Sequence, residues 1–148
     1  MTTAETSVKI RRAKKSDVPR LAELSGELGY PATTKEMKER FAQIKLAARH
    51  AVFVAELEKK VIGWIHVCVM PLLEVACRAE VNGLIVADGH RSSGAGAKLL
   101  DAAEKWARTK KCKGMSVRSN VIRDRAHAFY ERQGYLHIKT QKAFRKPL

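Results

Sequence analysis

Residues 91–96, Arg91-Ser92-Ser93-Gly94-Ala95-Gly96, separate an apolar run from an amphipathic one, and this junction limits the fold tightly. Before it stands Ala79-Glu80-Val81-Asn82-Gly83-Leu84-Ile85-Val86. After it, Leu99, Leu100, Ala103, Trp106 and Ala107 recur at helical spacing, with Lys98, Asp101, Glu104, Lys105 and Arg108 between them. The order is strand, short loop, helix. A Gly- and Ser-rich loop entering a helix leaves several backbone N–H groups without intrahelical partners. They point outward at the positive end of the helix dipole, which makes a ready anion site. Gly94 and Gly96 lack a Cβ and let a phosphate approach the backbone, and Arg91 adds a forked donor at the rim.

Two common phosphate loops do not match. A dinucleotide fingerprint needs a third glycine where Leu99 stands, and a P-loop needs Lys and Ser or Thr where Ala97 and Lys98 follow Gly96. On the loop alone, an unliganded strand-to-helix connection stays open. The pattern R-x-x-G-x-G, after a strand and opening a helix, resembles the pyrophosphate loop of the GNAT family of N-acetyltransferases, which use it for acetyl-coenzyme A.

A chain of 148 residues fits one domain, here taken as 1–148 with residues 1–7 as a disordered arm. No apolar run approaches the ~20 residues of a membrane span, and the first residues lack a signal-peptide core. A cytoplasmic protein that binds no membrane is expected. Cys68, Cys77 and Cys112 are odd in number without C-x-x-C spacing, and the histidines show no H-x-x-x-H pairing. Disulfide framework and metal site are therefore not expected. The net charge of +14 is extreme for this length. It suits either nucleic-acid binding or a solvated surface that steers a polyanionic cofactor. The clusters Arg11-Arg12-Ala13-Lys14-Lys15 and Lys110-Lys111-Cys112-Lys113 hold no aromatic residues for base stacking, and the tail with Lys142, Arg145 and Lys146 has only Phe144, which favours the solvated face without excluding nucleic acid.

Residues 8–12 read as a first strand. Ser16-Asp17-Val18-Pro19 starts a helix that continues through Leu21, Leu24, Ser25 and Leu28 to Gly29. Thr33 or Thr34 caps a second helix through Met37, Phe41, Ile44 and Ala48, with Glu36 placed for a capping box. Residues 51–56 and 61–70 are strands joined by a hairpin turn, and residues 78–86 form strand four. Gly83 inside that strand signals a bulge or a close backbone approach. A helix runs from Gly94 to about Thr109, and residues 115–119 are a short strand. Asp124 caps a helix through Ala126, Phe129 and Tyr130, closed by Gly134. Residues 135–139 and 141–144 are terminal strands.

This order is similar to that of the GNAT family over nearly the whole chain. Ser119-Asn120, Arg125-Ala126-His127 and Phe129-Tyr130-Glu131-Arg132-Gln133-Gly134-Tyr135 resemble the family's second motif. The resemblance implies an α/β (α+β) fold: a mixed, mostly antiparallel sheet of about six or seven strands, about four flanking helices, and a splay between strands four and five. It further implies that Gly83 marks the bulge behind that splay. Pantetheine then pairs with the backbone of Leu84, Ile85 and Val86, and Arg91, Ser92, Ser93, Gly94, Ala95, Gly96 and Ala97 hold the pyrophosphate. Asn120 bonds the pantetheine or adenosine portion, and Phe129 packs against the cofactor. The family's loop often carries a bulky aliphatic residue at the position of Ala95.

The implied activity is acetyl transfer from acetyl-coenzyme A to a primary amine of a small molecule or protein, by direct attack in a ternary complex. An amine of pKa ~10 is mostly protonated at neutral pH, so a base is useful, and the departing thiolate gains from an acid. Tyr130 is the implied acid and Glu80 the base. Asn82 ordering a water, Glu74 and His66 are the alternatives, and the Leu84 N–H is placed to hold the oxyanion. The acceptor site is implied at residues 28–31 and 71–74, with Tyr30 as a lining residue. No metal is implied, and a homodimer is compatible. Two other readings stay open: a non-catalytic coenzyme A sensor, for which Tyr130 has no use, and a basic nucleic-acid-binding protein.

Overall fold

The computed structural model of the protein describes residues 7–148. The expected arm therefore lies outside the described residues except for Ser7. The described chain forms two compact units, one ending at Val117 and the other spanning Arg118–Leu148.

The first unit holds β1 (Lys9–Arg12), α1 (Val18–Leu28, entered through a 3-10 turn at Lys15–Asp17), α2 (Thr34–Leu46), β2 (His50–Leu57), β3 (Lys60–Met70), β4 (Arg78–Val86), α3 (Ala95–Thr109) and β5 (Met115–Val117). Its sheet has the order β1-β2-β3-β4-β5. All pairings are antiparallel except β4 with β5. That parallel pair requires a crossover, and α3 supplies it.

Side-chain spacing explains both faces. A Cβ on Gly63 would lie 3.3 Å from Leu99 of α3, whereas one on Gly83 would lie 2.8 Å from the Trp64 ring and 3.8 Å from Leu28 of α1. Gly63 and Trp64 are consecutive on β3 and so point to opposite faces. Helix α3 thus covers one face, burying Leu99, Leu100, Ala103 and Ala107. Helix α1 covers the other with Val18, Leu21 and Leu24, in a cluster with Phe41 of α2, Val54, Val61 and Ile85.

The helix ends follow their residues. Gly29 closes α1 at φ 102°. Thr33 Oγ1 accepts the Glu36 N–H at 3.1 Å, and Glu36 Oε1 accepts the Thr33 N–H at 2.9 Å, completing the box at the start of α2. Asp17 is buried beside Arg11, which donates to its two oxygens at 2.8 and 2.9 Å, and the Lys14 N–H donates at 2.8 Å. Burial pushes that carboxyl up, and these donors outweigh it, so the net displacement is downward.

The bulge expected at Gly83 is present: His66 pairs with Gly83 and Val67 with Val81, so Asn82 is the extra residue and stands with Gly83 opposite His66. Gly83 also answers a contact, since any side chain there would strike the Trp64 ring. Two expectations need correction. In the second unit, α4 (Asp124–Arg132) has Arg123 at its cap, with no side-chain capping bond, and Asp124 is its first residue. Its negative charge still suits the positive end of the helix. Residues 135–139 and 141–144 form no strand, so the sheet has five strands rather than six or seven. A strand exists by pairing, and the second unit offers no partner strand. Leu136, Ile138 and Phe144 are accordingly exposed.

Candidate functional site

Strands β4 and β5 share only the pairs Ala79–Met115, Glu80–Ser116 and Val81–Val117. Beyond Val81, β4 continues for five residues without that neighbour. The Ala87 N–H donates to the Ile62 carbonyl of β3 at 2.7 Å. Alternation along the strand then turns the N–H groups of Ile85 to β3 and those of Leu84 and Val86 to the open side. Before the bulge, the Ala79 N–H points the other way, to Gly114 O at 3.0 Å. The extra residue Asn82 changes this parity and so exposes the Leu84 N–H on the open edge.

The loop into α3 adds donors. Gly94 sits at the cap with φ 83°, a left-handed value that a residue without Cβ adopts without strain. The Ser93 N–H is engaged by His90 O at 3.1 Å, and the Ala95 N–H by Ser93 Oγ at 3.3 Å. The N–H groups of Ser92, Gly94, Gly96 and Ala97 have no partner among the described residues. Ala95 is buried, so a small residue there lets the loop lie close to the core. Arg91 is exposed and leans on the Val86 carbonyl at 3.4 Å, which ties the loop to the end of β4.

On the face that α1 covers, Trp64, His66 and Cys68 alternate along β3. Glu80 lies opposite Cys68 on β4, and Glu80 itself is buried. Burial pushes the Cys68 thiol up, its hydrogen bond with the Asn82 side chain pulls it down, and the Glu80 charge pushes it up again. His66 pairs with Gly83 in register, next to the bulge. Its Nε2 lies 2.8 Å from His50 Nδ1, with the rings stacked at 5.1 Å. Burial, then His50, holds His66 down at about 4, so it is neutral at neutral pH. The sequence reading names His66 and Asn82 but misses Cys68 and His50. The signal was present: alternation in a β2–β3 hairpin sets His50, His66 and Cys68 on one face.

In the second unit, Tyr130 is mostly buried, edge-on to Phe129 at 5.2 Å and near Tyr135 at 5.9 Å. Burial pushes its hydroxyl up to about 12, with a smaller opposing pull from Arg123. Asn120 accepts the Ile122 N–H on its Oδ1 at 3.2 Å. Its carbonyl accepts the Arg123 N–H at 3.0 Å and meets His127 Nε2 at 2.8 Å. Among the described residues, no group of three His, Cys, Asp or Glu is placed to hold a metal, and no helix is long and apolar enough to cross a membrane.

The family model described as "Acetyltransferase (GNAT) family" matches residues 18–135, which reach into both units. An aminoglycoside N(6')-acetyltransferase type 1 from Klebsiella aerogenes is 24% identical over 97% of this chain and 99% of its own length. Among solved structures, a GNAT family acetyltransferase from Staphylococcus aureus is 25% identical, with a TM-score of 0.75 over 96% of this chain and 99% of that one. An aminoglycoside N-acetyltransferase in complex with coenzyme A superposes with a TM-score of 0.89 over 100% of both chains at 16% identity.

Proposed function

Because this chain belongs to the GNAT acetyltransferase family and is an acetyl-coenzyme A-dependent N-acetyltransferase, we propose that it acetylates a primary amine by direct attack, with both substrates bound together. The observation that carries the reading is the open edge of β4 running into the free amides of α3. These groups fit the cosubstrate: the edge of β4 offers the paired donors and acceptors that pantetheine amides need, and the N–H groups of Ser92, Gly94, Gly96 and Ala97 suit a pyrophosphate. Acetyl-coenzyme A supplies the activated acetyl group.

Glu80 takes a proton from the incoming amine, directly or through a water held by Asn82. The Leu84 N–H, turned outward by the bulge, stabilises the oxyanion. Tyr130 donates a hydrogen bond to the departing sulfur, and Asn120 and Phe129 hold the cosubstrate. On this reading the chain works as one catalytic domain.

The acceptor class has a second reading. The Klebsiella relative is named for an aminoglycoside, and an aminoglycoside amine would suit the buried Glu80. The net charge of +14 opposes it, because a polycation is repelled where a polyanionic cosubstrate is drawn in. A panel of amines decides: an aminoglycoside, a polyamine, an amino acid and a lysine-containing peptide, each with acetyl-coenzyme A. Free thiol and acetylated product should appear together. Coenzyme A binding without thiol release above acceptor-free hydrolysis would favour the sensor instead.

A further inference from the structure

Cys77 and Cys112 stand far apart in the chain and side by side in the first unit. Their side chains are close enough to perturb one another, and both are free and half-buried. Backbone bonds hold them there. The Lys113 N–H donates to the Cys77 carbonyl at 2.9 Å, the Ala79 N–H to Gly114 O at 3.0 Å, and the Cys112 N–H to Ala107 O at 3.1 Å. Carried back from Ala79–Met115, the register sets Cys77 opposite Lys113 and so one residue from Cys112, and a disulfide needs a Cα spacing of ~4.4–6.8 Å. Cys68 lies on β3 opposite Glu80 and is bonded to Asn82, so it belongs to the other group.

We infer that Cys77 and Cys112 form a thiol-modification site that a small-molecule disulfide converts into an internal disulfide. The inference does not depend on the acetyl-transfer reading. One thiolate attacks the small disulfide, forming a mixed disulfide and releasing one small thiol. The second protein thiolate attacks the protein sulfur of that mixed disulfide and releases the other small thiol. The two cysteines lose two electrons and two protons, and the small disulfide is reduced to two thiols. Lys110, Lys111 and Lys113 flank Cys112 and favour an anionic reagent such as oxidised glutathione. Burial and the neighbouring Cys77 push the Cys112 thiol up, so exchange should quicken at alkaline pH.

The position gives the bond a consequence. Cys77 immediately precedes β4 and Cys112 lies just before β5. A disulfide would tie the two strands at the root of their fork, below the point after Val81 where they part.

The test is incubation of the full-length protein with oxidised glutathione at alkaline pH, followed by mass spectrometry of unreduced peptides. The expected product joins the Cys77 and Cys112 peptides, two hydrogen masses lighter than the sum, with Cys68 free. Its Tm should exceed that of the reduced protein by about 5 °C or more. Cys77→Ser and Cys112→Ser should each trap a glutathione adduct on the remaining cysteine. A lasting adduct on the wild-type protein, untouched thiols, a cross-link between chains, or a linked protein with unchanged Tm would overturn the inference.

Discussion

Tyr130 is buried enough for its chemistry to be constrained. Its hydroxyl, pushed up to about 12 by burial, is a far weaker acid than a thiol of pKa ~8.5. Full proton transfer to the departing sulfur is therefore uphill, and in the proposed mechanism Tyr130 serves as a hydrogen-bond donor to charge as it develops. Tyr130→Phe should lower kcat by about 10–100-fold with little change in KM for acetyl-coenzyme A. Steady-state kinetics at saturating amine checks this, and an unchanged kcat would leave the hydroxyl a structural role. For Glu80→Gln, the deficit in turnover should be largest near neutral pH and shrink as pH rises and more of the amine is already neutral. A constant ratio to wild type across pH would remove Glu80 as the base. His66 carries a stability signature. Unfolded, its proton binds near 6.5; folded, only near 4. Stability is thus intact above about pH 6.5 and falls as pH drops toward 4, because the unfolded chain gains a proton the folded chain refuses. The full shift is worth on the order of 3 kcal/mol, reduced by the solvent that reaches the ring. His66→Gln should flatten the decline of Tm through that window, and parallel curves for the two proteins would count against it.

The loop and helix at Gly94 form one device. A Cβ on Gly94 would meet nothing within 4 Å, so replacing it costs backbone strain at φ 83° and blocks approach to the loop amides, without a clash inside the protein. Gly94→Val should weaken coenzyme A binding by about tenfold or more while the fold survives. Calorimetry at matched folded fraction checks it, and unchanged affinity would move the pyrophosphate elsewhere. The elements that were legible in the sequence share a reason. Thr33 with Glu36, Gly29, Gly94 and the spacing of Leu99, Leu100, Ala103 and Ala107 are local signals, and local signals decide helix ends. Gly83 marked the bulge from the sequence alone, whereas its second reason, room for the Trp64 ring, comes from cross-strand packing. The expected strands over residues 135–144 depend on a partner, which no local pattern supplies. Contacts such as His50–His66 and Cys77–Cys112 come from register and crossover.

At the scale of the whole molecule, the charge of +14 acts on every encounter. Raising ionic strength from about 50 to about 500 mM should raise KM for acetyl-coenzyme A, because attraction to a polyanion is screened. KM for an aminoglycoside should fall over the same range, since repulsion is screened too. Opposite slopes for the two substrates would fit this account, and a salt-independent acetyl-coenzyme A KM would deny the charge a steering role. The central claim is that the open edge of β4 and the first turn of α3 hold the cosubstrate. Backbone amide NMR of the protein titrated with coenzyme A tests it most directly. The account predicts saturable shifts centred on the N–H groups of Leu84, Val86, Gly94, Gly96 and Ala97, with β1 unmoved. Saturable binding with those amides unmoved would contradict it.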